Sequence, residues 1–180
     1  MEFIAALFRD LFDNNVLVAA MIAWLIAQVI KAVLTLIIDR RFSFERLFGD
    51  GGMPSGHSAT VTSAAVVCAW TYGFDSAYFG IAFVLAIIVM HDAMGVRREA
   101  GKHAVAINEI VTKVNQDTPG EEDDINIARL KEFVGHTPTQ VLVGFLLGFI
   151  VAILFCVIAG VKYSSGIPAT GIASFLGMIN

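Results

Sequence analysis

The sequence predicts an all-α protein, a polytopic membrane helical bundle with four to five membrane helices and an N-terminal amphipathic helix. Hydrophobic residues make up 57% of the 180 residues and charged residues only 16%, a balance that soluble domains of this size rarely show. Several uncharged runs also reach the roughly 20 residues that cross a bilayer. No tail rich in basic residues is present, so nucleic acid is not expected as a partner.

Residues 1–13 are expected to form the amphipathic helix, lying at the membrane surface. Its apolar face would carry Phe3, Ile4, Leu7, Phe8, Leu11 and Phe12. Arg9 and Asp10 fall on the opposite face, and the segment is too short to span a bilayer. The polar run Asp13-Asn14-Asn15 then ends the helix.

Four long apolar segments follow, and each is expected to span the membrane: about 16–38, 57–74, 77–94 and 137–160. A fifth segment, 167–179, is interrupted by Pro168 and Gly171, and is expected to be short or re-entrant. Polar loops at 39–56 and 95–136 connect the spans on one side of the membrane. Within the second loop, an amphipathic helix over about 100–114 and a short helix near 125–134 are expected. All of these segments belong to a single membrane domain, 1–180.

The first span contains an ammonium group at Lys31, about 10 Å from the end of the segment at helical rise. A charge at this depth is costly unless it faces protein or water. Lys31 therefore either extends to the membrane surface or contributes to an anion site inside the bundle. The sequence leaves both interpretations open.

The basic residues predict the orientation of the loops. Nine of the twelve Lys and Arg residues fall in the two long loops, which the positive-inside rule assigns to the cytoplasm. The protein is thus expected in a plasma membrane with these loops on the cytoplasmic side, and the bilayer is its first partner. In the last long span, Gly144 and Gly148 have the spacing of a close helix contact, which also fits a homodimer.

Two short motifs introduce polar chemistry at helix starts on this same side. The first is Pro54-Ser55-Gly56-His57, in which proline and a serine cap suit the first turn of a helix. The second begins at His136, just before Thr137-Pro138. Helix N-termini attract anions. Two imidazoles there, with Arg97 and Arg98 near them in the loop, are the groups that phosphoryl transfer requires.

These motifs resemble two signatures of the type-2 phosphatidic acid phosphatase superfamily. Residues 54–57 are similar to its second signature, and residues 136–144 to the end of its third, where histidine, proline, aspartate and glycine recur in that order. Together with the run from Gly95 to Arg98 and the segment ending at Asn108, the chain is similar to the divergent bacterial branch of the superfamily, which is related to vanadium haloperoxidases.

The resemblance implies a helical enzyme that hydrolyses a lipid phosphate or pyrophosphate without a metal or other cofactor. His136 would be the nucleophile and His57 the general acid. Phosphate contacts are expected from Ser55, Gly56, Arg97, Arg98 and Lys31. Orienting roles are expected for Gln140 and for Asp92, which could instead be a structural partner of an arginine.

The chain departs from the family pattern at three points. Gln140 stands where the family has an aspartate, so the nucleophile should be less activated. Leu130 stands where an arginine is usual, between Arg129 and Lys131. The first signature is not readable, and Lys31 with Arg40 or Arg41 matches it only at the wrong spacing. These departures favour an alternative, a non-enzymatic protein whose basic pocket binds phospholipid head groups or regulates a partner.

Overall fold

The computed structural model describes residues 1–39, 52–117, 130 and 135–163, and the regular structure in these ranges is helical throughout. The six helices are α1 (Glu2–Phe12), α2 (Asn15–Asp39), α3 (Gly56–Tyr72), α4 (Ala77–Met94), α5 (Val96–Asp117) and α6 (Pro138–Ile158). The all-helical membrane class predicted from the sequence is confirmed.

Polar side chains fix where the helices begin. The Asn14 carboxamide oxygen accepts a hydrogen bond from the Leu17 N–H at 3.1 Å, at the start of α2. Ser55, Ser76 and Thr137 are the N-caps of α3, α4 and α6. Such caps satisfy N–H groups that have no partner inside the helix.

The shortest of the apolar helices, α3, occupies the centre of the bundle. It packs against α2, α4 and α6, and α2 also contacts α6, whereas α2 and α4 do not touch each other in the described part of the chain. Ala19, Ala23 and Ala27 form a fully buried stripe along α2. Ala23 and Ala27 pack with Ala59 of α3 and Val151 of α6. Small residues at these positions allow the helix axes to approach closely.

Gly144 and Gly148 of α6 form the tightest of these contacts. A Cβ atom at Gly148 would lie 2.9 Å from the Cα of Ala59, and one at Gly144 would lie 3.0 Å from the Cβ of Ser58. The glycine pair is therefore buried inside the bundle, against α3. The homodimer expected from its spacing would need a different surface.

Three described helices are long and apolar enough to cross a membrane: Asn15–Ile38, Ala77–Val114 and Pro138–Ile158. The second of these passes through Gly95 from α4 into α5. With 17 residues, α3 lies at the lower limit for a span of about 30 Å. The predicted count of four to five membrane helices is therefore not reached in the described ranges, and segment 167–179 lies outside them.

Most helix limits agree with the sequence prediction. The segment 77–94 matches α4 at both ends, and α2, α3 and α6 differ from their predicted limits by one to two residues. The amphipathic helices expected at 1–13 and 100–114 correspond to α1 (Glu2–Phe12) and α5 (Val96–Asp117). The loop arginines Arg40 and Arg41 and the helix expected near 125–134 fall outside the described residues, apart from Leu130.

Candidate functional site

Both histidine motifs meet at one end of the bundle, where α3 and α6 begin and α4 ends. The backbone N–H of Ser55 donates to the carbonyl of Gln140 at 3.1 Å, which joins the starts of α3 and α6. The N–H of His136 donates to the carbonyl of Ala93 at 2.9 Å, which joins α6 to the last turn of α4. These backbone bonds hold the three helix ends in fixed relative positions.

The two imidazoles face each other across this junction. The ring centroids of His57 and His136 are 6.1 Å apart, and the ring planes are inclined by 61° in an edge arrangement. His136 is 3% exposed, whereas His57 is partly exposed. His57 is the second residue of α3 and His136 directly precedes the N-cap of α6. Both rings therefore lie where helix N–H groups and dipoles favour an anion.

Gln140 connects the cap of α6 to the ring of His136. The Gln140 side-chain oxygen accepts a hydrogen bond from the Thr137 N–H at 2.9 Å, and the Gln140 backbone N–H donates to the Thr137 hydroxyl at 3.4 Å. This reciprocal pair is a capping box. The same oxygen lies 3.4 Å from Nδ1 of His136. An amide oxygen can only accept, so this contact requires the proton on Nδ1 and leaves the lone pair on Nε2.

Lys31 faces the interior of the bundle. It is 4% exposed and follows Ala23 and Ala27 at four-residue intervals, so it continues the buried stripe of α2. Its Cγ and Cδ atoms would lie 3.4 Å from a Cβ at Gly52, two residues before Pro54. The side chain is thus directed toward the loop that leads into α3.

The corner between α4 and α5 carries the arginines. Arg97 donates through Nε to the Asp92 carboxylate at 2.7 Å, and both side chains are about two-fifths exposed. Arg98 is exposed next to it. Gly135, with φ of +89°, packs against the backbone of both arginines: a Cβ there would lie 2.6 Å from the Arg97 carbonyl carbon. The corner is therefore in contact with the residue before His136.

Ser55 and Gly56 form the backbone of the α3 start. The Ser55 hydroxyl is buried and accepts from the N–H and the hydroxyl of Ser58, at 3.3 and 3.0 Å. The Ser55 hydroxyl can still donate a hydrogen bond through its own proton. Gly56 packs against Trp24 of α2, because a Cβ at Gly56 would lie 3.5 Å from Cδ1 of the indole.

Trp24 is a neighbour of the site that the sequence interpretation did not include. Trp24, Gln28 and Lys31 are spaced at i, i+4 and i+7, which puts all three on one side of α2. The spacing could have indicated from the sequence that Trp24 and Gln28 share a face with Lys31. It does not show which helix that face contacts.

Comparison with known proteins identifies the family of the chain. The model of the divergent PAP2 family matches residues 12–151. The chain belongs to the divergent PAP2 family. It is also 36% identical to the uncharacterized membrane protein YuiD of Bacillus subtilis (strain 168) over 151 residues, which cover 81% of this chain and 96% of that protein. No solved structure matches.

The matched range of the divergent PAP2 family includes every candidate residue, from Lys31 in α2 to Gln140 in α6. Within the described residues, no group of three or more histidine, cysteine or acidic side chains could hold a metal ion. The groups assembled at this end of the bundle are imidazoles, guanidinium groups, an ammonium and helix N-termini, which together suit an anion.

Proposed function

We propose that this member of the divergent PAP2 family is a membrane phosphatase that hydrolyses a lipid phosphomonoester or pyrophosphate through a phosphohistidine intermediate. The observation that carries the proposal is the apposition of His57 and His136, whose ring centroids are 6.1 Å apart at two helix N-termini. A single phosphoryl group bound at these N-termini could contact both rings, as nucleophilic attack and general acid catalysis require.

In the first step, Nε2 of His136 attacks phosphorus and the bond from phosphorus to the leaving oxygen breaks. His57, in its imidazolium form, donates a proton to that oxygen, so the leaving group departs as an alcohol, or as a phosphate when the substrate is a pyrophosphate. Gln140 supports this assignment because its contact with Nδ1 favours the tautomer whose Nε2 lone pair is available.

In the second step, water attacks phosphorus and the bond to Nε2 breaks. His57, now neutral, accepts a proton from the water. Inorganic phosphate is released, and both histidines return to their starting states. One pair of side chains therefore serves both half-reactions, and no metal or other cofactor is part of the proposed cycle.

Cationic and N–H groups around the ring pair would hold the phosphate oxygens. Asp92 holds Arg97 through Nε, and the guanidinium group would bind phosphate oxygens from this position. Arg98 and Lys31 would add charge from the α4–α5 corner and from α2. At the start of α3, the hydroxyl of Ser55 and the N–H of Gly56 would donate.

A lipid substrate is favoured by the location of the site at one end of a bundle whose outer surface is apolar. Exposed residues such as Ile81, Phe83 and Leu142 cover this surface. The count of basic residues in the loops supports a site on the cytoplasmic side of the bacterial plasma membrane. The bilayer supplies an amphiphilic phosphoester directly to such a boundary.

A second candidate function is the binding of phospholipid head groups without hydrolysis. The observation that favours it is Gln140, an amide at the position of the family aspartate and 3.4 Å from the His136 ring. An amide cannot stabilise an imidazolium by charge, so the same basic pocket could retain an anion without catalysing its transfer.

Phosphate release from a panel of lipid phosphates and pyrophosphates, measured on purified protein in detergent, distinguishes the two functions. We expect turnover by the wild type and by His91→Ala, which alters an exposed histidine at the end of α4. His136→Ala should release no phosphate. Equal release by the wild type and His136→Ala, with both proteins folded, would contradict the phosphatase function.

A further inference from the structure

A polar stripe on α2 adjoins the start of α3. Lys31 lies against Gly52, and Trp24 lies against Gly56. Gln28 lies between them in the sequence and on the same side of the helix, which is the side that meets Gly52 and Gly56. The stripe therefore borders the proposed phosphate site on the side away from α4.

Two hydrogen-bonding groups of this stripe have no partner among the residues that the structure describes. The Gln28 side-chain oxygen is buried and finds no hydrogen-bond donor in the described part of the chain. The Trp24 indole nitrogen would lie 3.9 Å from a Cβ at Gly56, and its N–H makes no hydrogen bond with the described residues. A buried polar atom such as the Gln28 oxygen is normally paired, and leaving it unpaired costs free energy that a bound ligand can recover.

We propose that Gln28 and Trp24 bind the part of the substrate next to its phosphate, and that this part carries a free hydroxyl group. The inference rests on the proposed function, in that it takes this end of the bundle to be a phosphoester site. The hydroxyl donates to the Gln28 oxygen, and the Trp24 indole N–H donates to an oxygen of the substrate.

The chemistry of the neighbouring groups selects a hydroxyl. The oxygens of an ionised phosphate only accept hydrogen bonds, so they cannot pair with an amide oxygen. A substrate ammonium could donate, but Lys31 is three residues away on the same side of α2 and would repel it. A neutral donor remains, and the substrate class is therefore a lipid phosphate with a hydroxyl beside the phosphoester.

Binding of non-hydrolysable probes tests this assignment separately from catalysis. The probes are two phosphonates, in which CH₂ replaces the ester oxygen of a 1-acyl-glycerol 3-phosphate and of its 2-deoxy counterpart. The chain has two tryptophans, so Trp70→Phe leaves Trp24 as the only reporter of fluorescence. Trp70 donates to the Val161 carbonyl, which follows α6 at the end remote from the histidines.

We expect both probes to change Trp24 emission, with the hydroxyl probe binding about three- to tenfold more tightly, as one neutral hydrogen bond predicts. Gln28→Leu should bring the two affinities together. Gln28→Met, which is closer to glutamine in length, should do the same if the leucine variant does not fold. Val29→Leu is the matched control, because Val29 is 54% exposed on the outer face of α2. It should keep the preference.

The outcomes separate this inference from the proposed function. Equal affinity of the wild type for both probes, a preference retained in folded Gln28→Leu or Gln28→Met, or unchanged Trp24 emission would overturn the assignment of Gln28 and Trp24. Phosphate release could still occur in each of these cases. Conversely, a hydroxyl preference that depends on Gln28, in a protein that releases no phosphate, would support the binding site and contradict hydrolysis.

Discussion

Gly135 lies in direct contact with the backbone of Arg97. A Cβ at Gly135 would lie only 2.6 Å from the Arg97 carbonyl carbon, and its φ is +89°. The next residue, His136, donates its N–H to the Ala93 carbonyl. The α4–α5 corner thus fixes both the cation beside the site and the proposed nucleophile.

Gly135→Ala should greatly reduce phosphate release while leaving the bundle folded. The added methyl group forces the corner away from His136, and misplacement by about 1 Å can cost about 100-fold in rate. Gly160→Ala is the control: Gly160 also has a positive φ, of +63°, but a Cβ there would meet nothing within 4 Å. Gly160→Ala therefore introduces the backbone strain of a positive φ without a steric clash. Equal activity of the two variants would argue against positioning by Gly135.

Gly148→Ala should destabilise the protein by about 1–3 kcal/mol, as overpacking of a close contact does. The methyl group would lie 2.9 Å from the Cα of Ala59, where the backbone of α3 cannot yield. Gly80→Ala should be neutral or stabilising, because a Cβ at Gly80 meets nothing within 4 Å and alanine favours helix. Thermal unfolding in detergent measures both. Equal unfolding temperatures would show that α3 and α6 are not in close contact.

Gln140→Glu should increase kcat. A carboxylate at this position can keep the hydrogen bond from the Thr137 N–H and adds charge beside the imidazolium that forms at His136. The gain of a charged over a neutral hydrogen bond is about 1.4 kcal/mol, or about tenfold in rate. Gln140→Leu should lower kcat, since it removes the acceptor that favours the Nδ1–H tautomer. We therefore expect kcat to decrease from Gln140→Glu to the wild type to Gln140→Leu. A Leu variant as fast as the wild type would contradict an orienting role.

Asp92→Asn should raise KM several-fold, because Arg97 loses the charged partner that fixes its Nε. Its effect on stability should be at most about 1 kcal/mol, since the pair is half-exposed. Glu99→Gln is the control, because it breaks the exposed pair with Lys102 at 2.6 Å. Steady-state kinetics should show a KM change for Asp92→Asn alone. An equal KM for the wild type, Asp92→Asn and Glu99→Gln would mean that Arg97 does not bind the phosphate.

Several features could be predicted because local chemistry determines them. The caps at Ser55 and Thr137 mark helix starts without reference to the rest of the fold. The two apolar segments predicted between the motifs place His57 and His136 at the same end of the bundle. The buried depth of Lys31 follows from the cost of a charge in lipid, although the sequence alone did not distinguish an interior position from one at the membrane surface.

Other features depend on which helix faces which, and a sequence does not encode this locally. The spacing of Gly144 and Gly148 indicates a close contact equally well within a chain and between chains. Only the packed bundle shows that their partner is Ala59 and the start of α3. Similarly, the sequence shows that Gln28 is polar within an apolar span, but only the packing of α2 against Gly56 shows that Trp24 and Gln28 lie beside the start of α3.

Direct detection of the phosphohistidine tests the central proposal most sharply. His57 protonates the leaving group in the first step and accepts a proton from water in the second, so the test uses a substrate whose leaving group needs no protonation, 4-nitrophenyl phosphate labelled in its phosphate. With this substrate the intermediate should form and accumulate in His57→Ala, and we expect an acid-labile, base-stable phosphoprotein in His57→Ala and none in His136→Ala. Two results would contradict His136 as the nucleophile. One is an acid-labile, base-stable label in His136→Ala, and the other is phosphate release by the wild type with no label in His57→Ala.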